Sequence, residues 1–250
     1  MKVAIITGGS NGIGKATALE LGRRGVGVLL TYHSNERGAR DVVRSIELVG
    51  AAAVALKLDL ARPATFDEFA RSTALELERV WKRSTFDYLV NNAGVGGGMV
   101  FSEMTEEYFD RMLTTNFKGP FFLTQRLVRL MEDGGSIVNV SSNASRGSFV
   151  GYSAYGASKA ALTSWTRYLA KELAARRIRV NAVSPGPVRT NLGDGAFDKH
   201  PEYIKPLADQ TALGRIGEPE DLAKVITNLL SDTFGWVTAQ DIEVSGGFLL

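Results

Sequence analysis

The chain has 250 residues, 44% of them hydrophobic and 22% charged, with a formal net charge of +2. That length allows one large domain with a sizeable core, and so small a charge argues against nucleic acid or an anionic membrane as partner. There is no cysteine, and the two histidines, His33 and His200, stand in polar surroundings, which excludes disulfides, a thiol nucleophile and a multi-histidine metal site. No apolar run approaches the ~18–20 residues of a membrane span. The first one, residues 3–6, is too short for a signal-peptide core. The expectation is a cytoplasmic protein without metal.

Residues 2–7 are a β-branched run and read as a buried strand. A glycine-rich turn follows, Thr7-Gly8-Gly9-Ser10-Asn11-Gly12-Ile13-Gly14. A helical pattern of Ala16, Ala18, Leu19 and Leu21 runs on from it. Glycines between a strand and a helix permit a tight turn and close approach of backbone to a pyrophosphate. The helix N-terminus adds N–H donors. Residues 25–31 are the second strand and complete a β-α-β unit. It ends in Tyr32-His33-Ser34-Asn35. No carboxylate stands there to bind an adenosine ribose hydroxyl. His33, Ser34, Asn35 and Arg37 suit a 2′-phosphate instead, so NADP(H) is favoured and NAD(H) remains possible.

Residues 37–49 read as a helix and 53–58 as a strand. Asp59 and Leu60 follow it. Asp59 is placed to accept from an adenine amine or to cap the next helix, near Pro63. Residues 64–84 are an amphipathic helix, and 86–90 a strand that ends in Asn91-Asn92-Ala93-Gly94. Asn92, Ala93 and Gly94 allow backbone to approach a cofactor ribose. Asn91 is read as a tie between strands. A glycine-rich loop at 95–101 leads to a long helix over 105–131, kinked at Gly119-Pro120 and ended by Gly134-Gly135. Residues 136–140 are a strand with Ser141 and Ser142 at its end. Residues 178–183 are the sixth strand. Pro185 and Gly186 then open a long segment to about 217, which reads as a lid. A helix over 218–230 and a strand over 241–244 complete the chain.

Strands alternating with helices predict an α/β fold: one doubly wound, Rossmann-type parallel sheet of about seven strands flanked by helices. One domain covers 1–250, with a substrate lid at about 190–217. Ligands bind such sheets beyond the carboxyl ends of the strands. Gly8 to Gly14, Asp59, Asn91, Ser142 and Pro185 all fall at such ends. Just beyond Ser142 comes Tyr155-Gly-Ala-Ser-Lys159. Residues at i and i+4 share a helix face, and an ammonium near a phenol lowers the phenol's pKa. A tyrosine tuned in this way is a general acid or base near neutral pH.

With Thr7-Gly8-Gly-Ser-Asn-Gly-Ile-Gly14, Asn91-Asn-Ala-Gly94, Asn116, Ser142, Tyr155-x-x-x-Lys159 and Pro185-Gly186 with Thr190 all in register, the chain resembles a short-chain dehydrogenase/reductase, most closely the 3-oxoacyl-carrier-protein-reductase-like members. The resemblance spans nearly the whole chain. It implies an enzyme that interconverts a carbonyl and a secondary alcohol, on a small-molecule substrate that includes the 3-oxoacyl type, and a homotetramer built through the helices around Phe121 and Trp165 and a C-terminal face. It implies Tyr155 as acid or base, and Ser142, rather than Ser141, on the substrate oxygen. Lys159 would tune the tyrosine and hold the nicotinamide ribose, and Asn116 would place a relay water. The implied cofactor contacts are Gly8, Ser10, Asn11, Gly12, Ile13, Gly14, Tyr32, His33, Ser34, Asp59, Leu60, Asn92, Ala93, Gly94, Tyr155, Lys159, Pro185, Gly186, Val188 and Thr190. Asn11 stands where a basic residue is common in NADP-using members, His33 where arginine is, and Ser245 where aspartate is. Arg146 faces solvent or meets an anionic substrate. The rivals are a non-catalytic NADP(H) sensor and a non-redox epimerase or dehalogenase on the same scaffold.

Overall fold

The seven predicted strands are β1 (Val3–Ile6), β2 (Gly27–Tyr32), β3 (Ala53–Lys57), β4 (Phe86–Asn91), β5 (Met131–Val140), β6 (Arg179–Pro185) and β7 (Asp241–Val244) of a computed structural model. It describes residues 1–190 and 192–250, apart from the side chains at 193, 194 and 196. The strands form one sheet in the order β3-β2-β1-β4-β5-β6-β7, and every pairing is parallel.

Alternation along the strands divides the core. Val3, Ile5 and Leu29 face one layer, with Phe66, Leu77, Leu123 and Leu162. Ala4, Ile6, Val28 and Leu30 face the other, with Leu21, Ile46, Leu222 and Ile226. Successive side chains of a strand point to opposite faces, and a parallel sheet is covered on both. The helices that supply the first layer are α3 (Phe66–Trp81), α5 (Gly119–Leu127) and α6 (Ser153–Glu172). Those of the second are α1 (Gly12–Arg23), α2 (Glu36–Glu47) and α9 (Pro219–Leu230).

The long helix expected over 105–131 is not continuous. Helix α4 (Glu106–Leu113) passes into a single wide π-turn at Thr114–Lys118, and α5 begins at Gly119. Pro120 lacks the N–H that would bond the Asn116 carbonyl in an α-helix. The chain widens by one residue there and starts a new helix with proline in its first turn, where the missing donor costs least. The expected stop at Gly134-Gly135 also fails. Helical structure ends by Leu130, and Met131 enters β5 opposite Phe86. Burial of the Met131 side chain in the sheet, at 2% exposure, stabilises that early turn-out. The segment expected as a lid carries α7 (Leu192–Lys199) and α8 (Ile204–Asp209). No described helix is long and apolar enough to cross a membrane.

Candidate active site

The glycine turn between β1 and α1 is built by close contacts. Gly8 has φ +68°, a conformation that favours glycine. A Cβ on Gly14 would lie 2.3 Å from the Gly8 carbonyl and 2.5 Å from Asn92 Nδ2. Asn92 Nδ2 donates to the carbonyls of Thr7 and Gly8, at 2.9 and 3.1 Å. Thr7 Oγ1 in turn accepts from the N–H groups of Asn92 and Ala93. Gly8 and Asn92 to Gly94 therefore form one unit from two strand ends. Asn11 stands just before α1, and its side chain makes no capping hydrogen bond, which leaves the helix entrance to a ligand. Gly14→Ala is expected to lower dinucleotide affinity at least tenfold and to destabilise the chain by about 1–3 kcal/mol by overpacking; fluorescence titration and thermal melting measure the two effects.

At the end of β2, Thr31 accepts from Gly8 N–H through its hydroxyl and from Gly9 N–H through its carbonyl. His33 is exposed, with Nε2 3.7 Å from Asp59 Oδ2. Asn35 Oδ1 caps α2 by accepting from Gly38 N–H at 3.0 Å, which leaves its Nδ2 as the group that could donate to a phosphate. Asp59 does not cap the following helix. Its Oδ1 accepts from Ala61 N–H at 2.9 Å, a local turn of the kind aspartate favours, and its other oxygen faces His33. Arg37 is exposed on the first turn of α2. Ser34 and Tyr32 lie beside these groups at the strand end, and Leu60 is buried behind Asp59.

Five chain segments converge at the ends of β4, β5 and β6. Asn91 ties β4 to its neighbours through Thr124 Oγ1 at 3.0 Å and Asn139 Oδ1 at 2.8 Å. Asn116, 1% exposed, lies in the π-turn. Its Oδ1 accepts from Val95 N–H at 2.9 Å, and its Nδ2 donates to the Val95 carbonyl at 3.0 Å and to Ser158 Oγ at 3.2 Å. Its side chain thus clamps the loop after Gly94 onto α6. Ser158 Oγ passes the bond on to the Tyr155 carbonyl at 2.7 Å. Sequence reasoning missed Ser158 and Thr7, although both stood inside the motifs, one residue before Lys159 and one before Gly8.

Tyr155 and Lys159 emerge on one face of α6 and are both buried, at 7% and 5% exposure. Lys159 Nζ lies 5.9 Å from the centre of the Tyr155 ring and donates to the Val140 carbonyl at 2.9 Å. Burial alone lowers its pKa to about 8. No carboxylate contributes to that shift. A Cβ on Gly94 would stand 2.8 Å from Asn116 Oδ1 and 3.5 Å from Lys159 Nζ, so glycine keeps the space beside the ammonium open. Burial pushes the Tyr155 phenol above its usual range, partly opposed by Ser142 and reinforced by Tyr152. The ammonium is thus held by the Val140 carbonyl on the same side of the helix as the Tyr155 ring. Ser142 Oγ accepts from Ala144 N–H at 3.1 Å and lies 3.4 Å from Asn143 Oδ1. It also bonds the Tyr155 phenol, which places the two hydroxyls side by side. Ser141 is fully engaged, with its Oγ 3.1 Å from the Lys159 carbonyl and 2.8 Å from Thr163 Oγ1.

Beyond β6, the Gly186 loop packs on Ser245. Val188 is buried and pairs with Gly217, and the side chain of Thr190 stands 3.4 Å from where a Cβ of Gly12 would be. Thr190 therefore brings the segment after β6 against the glycine turn. Among the described residues no cluster of acids and histidines is fit to hold a metal ion.

A parallel sheet with a glycine-lined turn, a Tyr/Lys pair and a serine at adjoining strand ends defines a dinucleotide-dependent dehydrogenase or reductase scaffold. The family described as enoyl-(acyl carrier protein) reductase matches residues 8–249. An uncharacterized oxidoreductase of Methylorubrum extorquens is 37% identical over 246 residues, covering 98% of this chain and 97% of its own. Among solved structures, the promiscuous reductase LugOII, which catalyses keto-reduction at C1 during lugdunomycin biosynthesis, superposes with TM-score 0.94 at 39% identity, covering 100% of this chain and 98% of its own. The angucycline C-6 ketoreductase LanV with bound NADP superposes with TM-score 0.94 at 38% identity, covering 99% and 95%. The chain belongs to the short-chain dehydrogenase/reductase family of oxidoreductases.

Proposed function

We propose that the protein is an NADPH-dependent carbonyl reductase that forms a secondary alcohol, with Tyr155 as proton donor. The observation that carries this reading is the buried Lys159, without an acidic partner, beside Tyr155 and Gly94. Burying an ammonium is costly, and a protein that only sensed a cofactor would not need to bear that cost beside a buried phenol. Both solved relatives are described as reducing ketones, and one was solved with NADP.

The residues present fit the cofactor. The α1 entrance and the Gly8–Gly14 turn suit the diphosphate. His33, Ser34 and Arg37 suit a 2′-phosphate, and Asn92 to Gly94 and Lys159 suit the nicotinamide ribose. Pro185, Gly186, Val188 and Thr190 would hold the nicotinamide ring, and Asp59, with Leu60 buried beside it, would meet the adenine. When bound, NADPH would supply the hydride for the carbonyl carbon. Ser142 Oγ–H and the Tyr155 phenol both donate to the carbonyl oxygen, and Tyr155 transfers its proton there as the alkoxide forms. Lys159 stabilises the resulting phenolate. Asn116 holds the loop that shapes this pocket and stands next to the path by which Tyr155 regains its proton. Burial raises the phenol's pKa, so the phenol carries its proton at neutral pH, as a general acid must.

The cleft mouth is apolar. Leu192 of the lid packs over Gly96, and Val100, Phe101, Val150 and Tyr152 are exposed around it. This supports a bulky ketone or 3-oxoacyl substrate over a sugar. We read the chain as one domain with residues 190–217 as lid. We further read it as a cytoplasmic homotetramer, in keeping with the absence of cysteine and with Phe109, Phe122, Tyr168 and Trp236 exposed on the helical and C-terminal faces. The test is a panel of ring ketones, 3-oxoacyl thioesters and sugars, followed by loss of NADPH or NADH absorbance. Apolar ketones with NADPH should be consumed fastest, and no oxidation with any carbonyl would reject the reading. His33→Asp should shift the NADPH:NADH preference toward NADH by about a hundredfold, because a carboxylate would then face the 2′-phosphate; kcat/KM for the two cofactors measures it.

A further inference from the structure

The C-terminal tail has no part in the chemistry proposed above, yet it touches both walls that flank the site. One wall is the loop that runs from Ser142 to Gly151. Arg146 holds that loop to β7, with Nη2 2.6 Å and Nε 3.0 Å from Asp241 Oδ2, Nη2 2.8 Å from the Asp241 carbonyl, and Nη1 3.5 Å from Glu243 Oε2. This geometry turns Arg146 away from the substrate and into a clamp. Asp241 also accepts from Ser184 Oγ at 2.6 Å, next to the Pro185-Gly186 turn. Three residues beyond Arg146, the Phe149 ring stacks on Phe248, with centres 6.2 Å apart and planes 23° apart.

The other wall is the end of the lid. Thr211 pairs antiparallel with Phe248. Ala212 and Leu213 N–H donate to the carbonyls of Gly247 and Gly246, at 3.1 and 3.0 Å, and Leu249 N–H donates to the Gln210 carbonyl at 3.0 Å. Gly246 and Gly247 have φ of +66° and +77°, so two successive left-handed residues turn the tail back across the lid. Phe248 is 8% exposed and is shared by both walls.

We propose that Phe248 is a positioning residue that locks the lid to the loop carrying Ser142, so that closure of one aligns the other. The inference rests on the carbonyl-reductase reading for its kinetic arm only. Phe248→Ala should lower kcat with a ring ketone by about ten- to a hundredfold, the scale of a misplaced reacting group, with NADPH affinity unchanged within about twofold. Phe248→Tyr, which keeps the ring, should restore most of the loss. Phe149→Ala should reproduce it, and the double variant should be no worse than either single one, since both remove the same contact. Multiplying losses in the double variant, or full kcat in Phe248→Ala, would overturn the proposal. A second arm needs no turnover: trypsin should cut the lid after Lys199 about tenfold faster in Phe248→Ala and Phe149→Ala, as a lid that opens more often is cleaved in proportion. Equal cleavage in both variants and the parent would overturn the coupling even if no ketone were reduced by any of them.

Discussion

Replacing Lys159 with methionine is expected to cost at least about a hundredfold in turnover while raising stability at pH 7 by about 1–2 kcal/mol. The two effects share one cause. Lys159 is buried and its pKa falls from the usual 10.5 to about 8. The folded chain therefore binds this proton less well than the unfolded chain. At pH 7 both forms are protonated, and folding must bury an ammonium. A depression of that size corresponds to roughly 3 kcal/mol. Loss of the bond to the Val140 carbonyl returns about 1–2 kcal/mol of it. As pH rises from about 8 to 10.5, the folded lysine is neutral while the unfolded one still holds its proton, so the parent gains stability across that window. The variant does not. Denaturant unfolding of both proteins at pH 7 and pH 10 should show the variant's advantage shrinking with pH. A variant less stable at pH 7, with a gap that widens toward pH 10, would refute the charge-burial argument.

Tyr155→Phe carries the largest expected effect on catalysis, a loss of about a thousandfold, within the range of a removed general acid. The substitution keeps the ring that packs with Met112, Ala154 and Ala144 and removes only the hydroxyl. Stability and NADPH affinity should stay near the parent values. Burial raises the phenol's pKa, so the parent's proton is present throughout the neutral range and reduction should not depend on a basic medium. A variant that loses cofactor binding together with turnover would mean that the hydroxyl organises the cleft rather than supplying the proton.

Much of this was legible in the chain. The alternation of Val3, Ala4, Ile5 and Ile6 predicts a strand buried on both faces, and the structure divides those side chains between two layers. Gly8 to Gly14, Asp59, Asn91, Ser142 and Pro185 were predicted to fall at strand ends, and they stand at or just past the ends of β1, β3, β4, β5 and β6. Other features depended on partners remote in sequence. The spacing of Tyr155 and Lys159 fixes their common face, but the Val140 carbonyl decides where the ammonium goes. The kink near Pro120 was foreseeable. Its form as a π-turn was not, because it is stabilised by Asn116 bonding to Val95, 21 residues away. Arg146 stayed open between solvent and substrate because its acids, Asp241 and Glu243, come from β7. The early start of β5 was missed because Met131 looks like the end of a helix until Phe86 is placed beside it.

The role of Tyr155 is tested most directly by a pair of NADPH oxidation assays on one apolar ring ketone, run at saturating cofactor with the parent and with Tyr155→Phe, each checked beforehand for NADPH binding by fluorescence. The parent should convert NADPH and ketone to alcohol one for one, while Tyr155→Phe should bind NADPH equally well and turn over about a thousandfold more slowly. Equal rates in the two proteins would contradict that role.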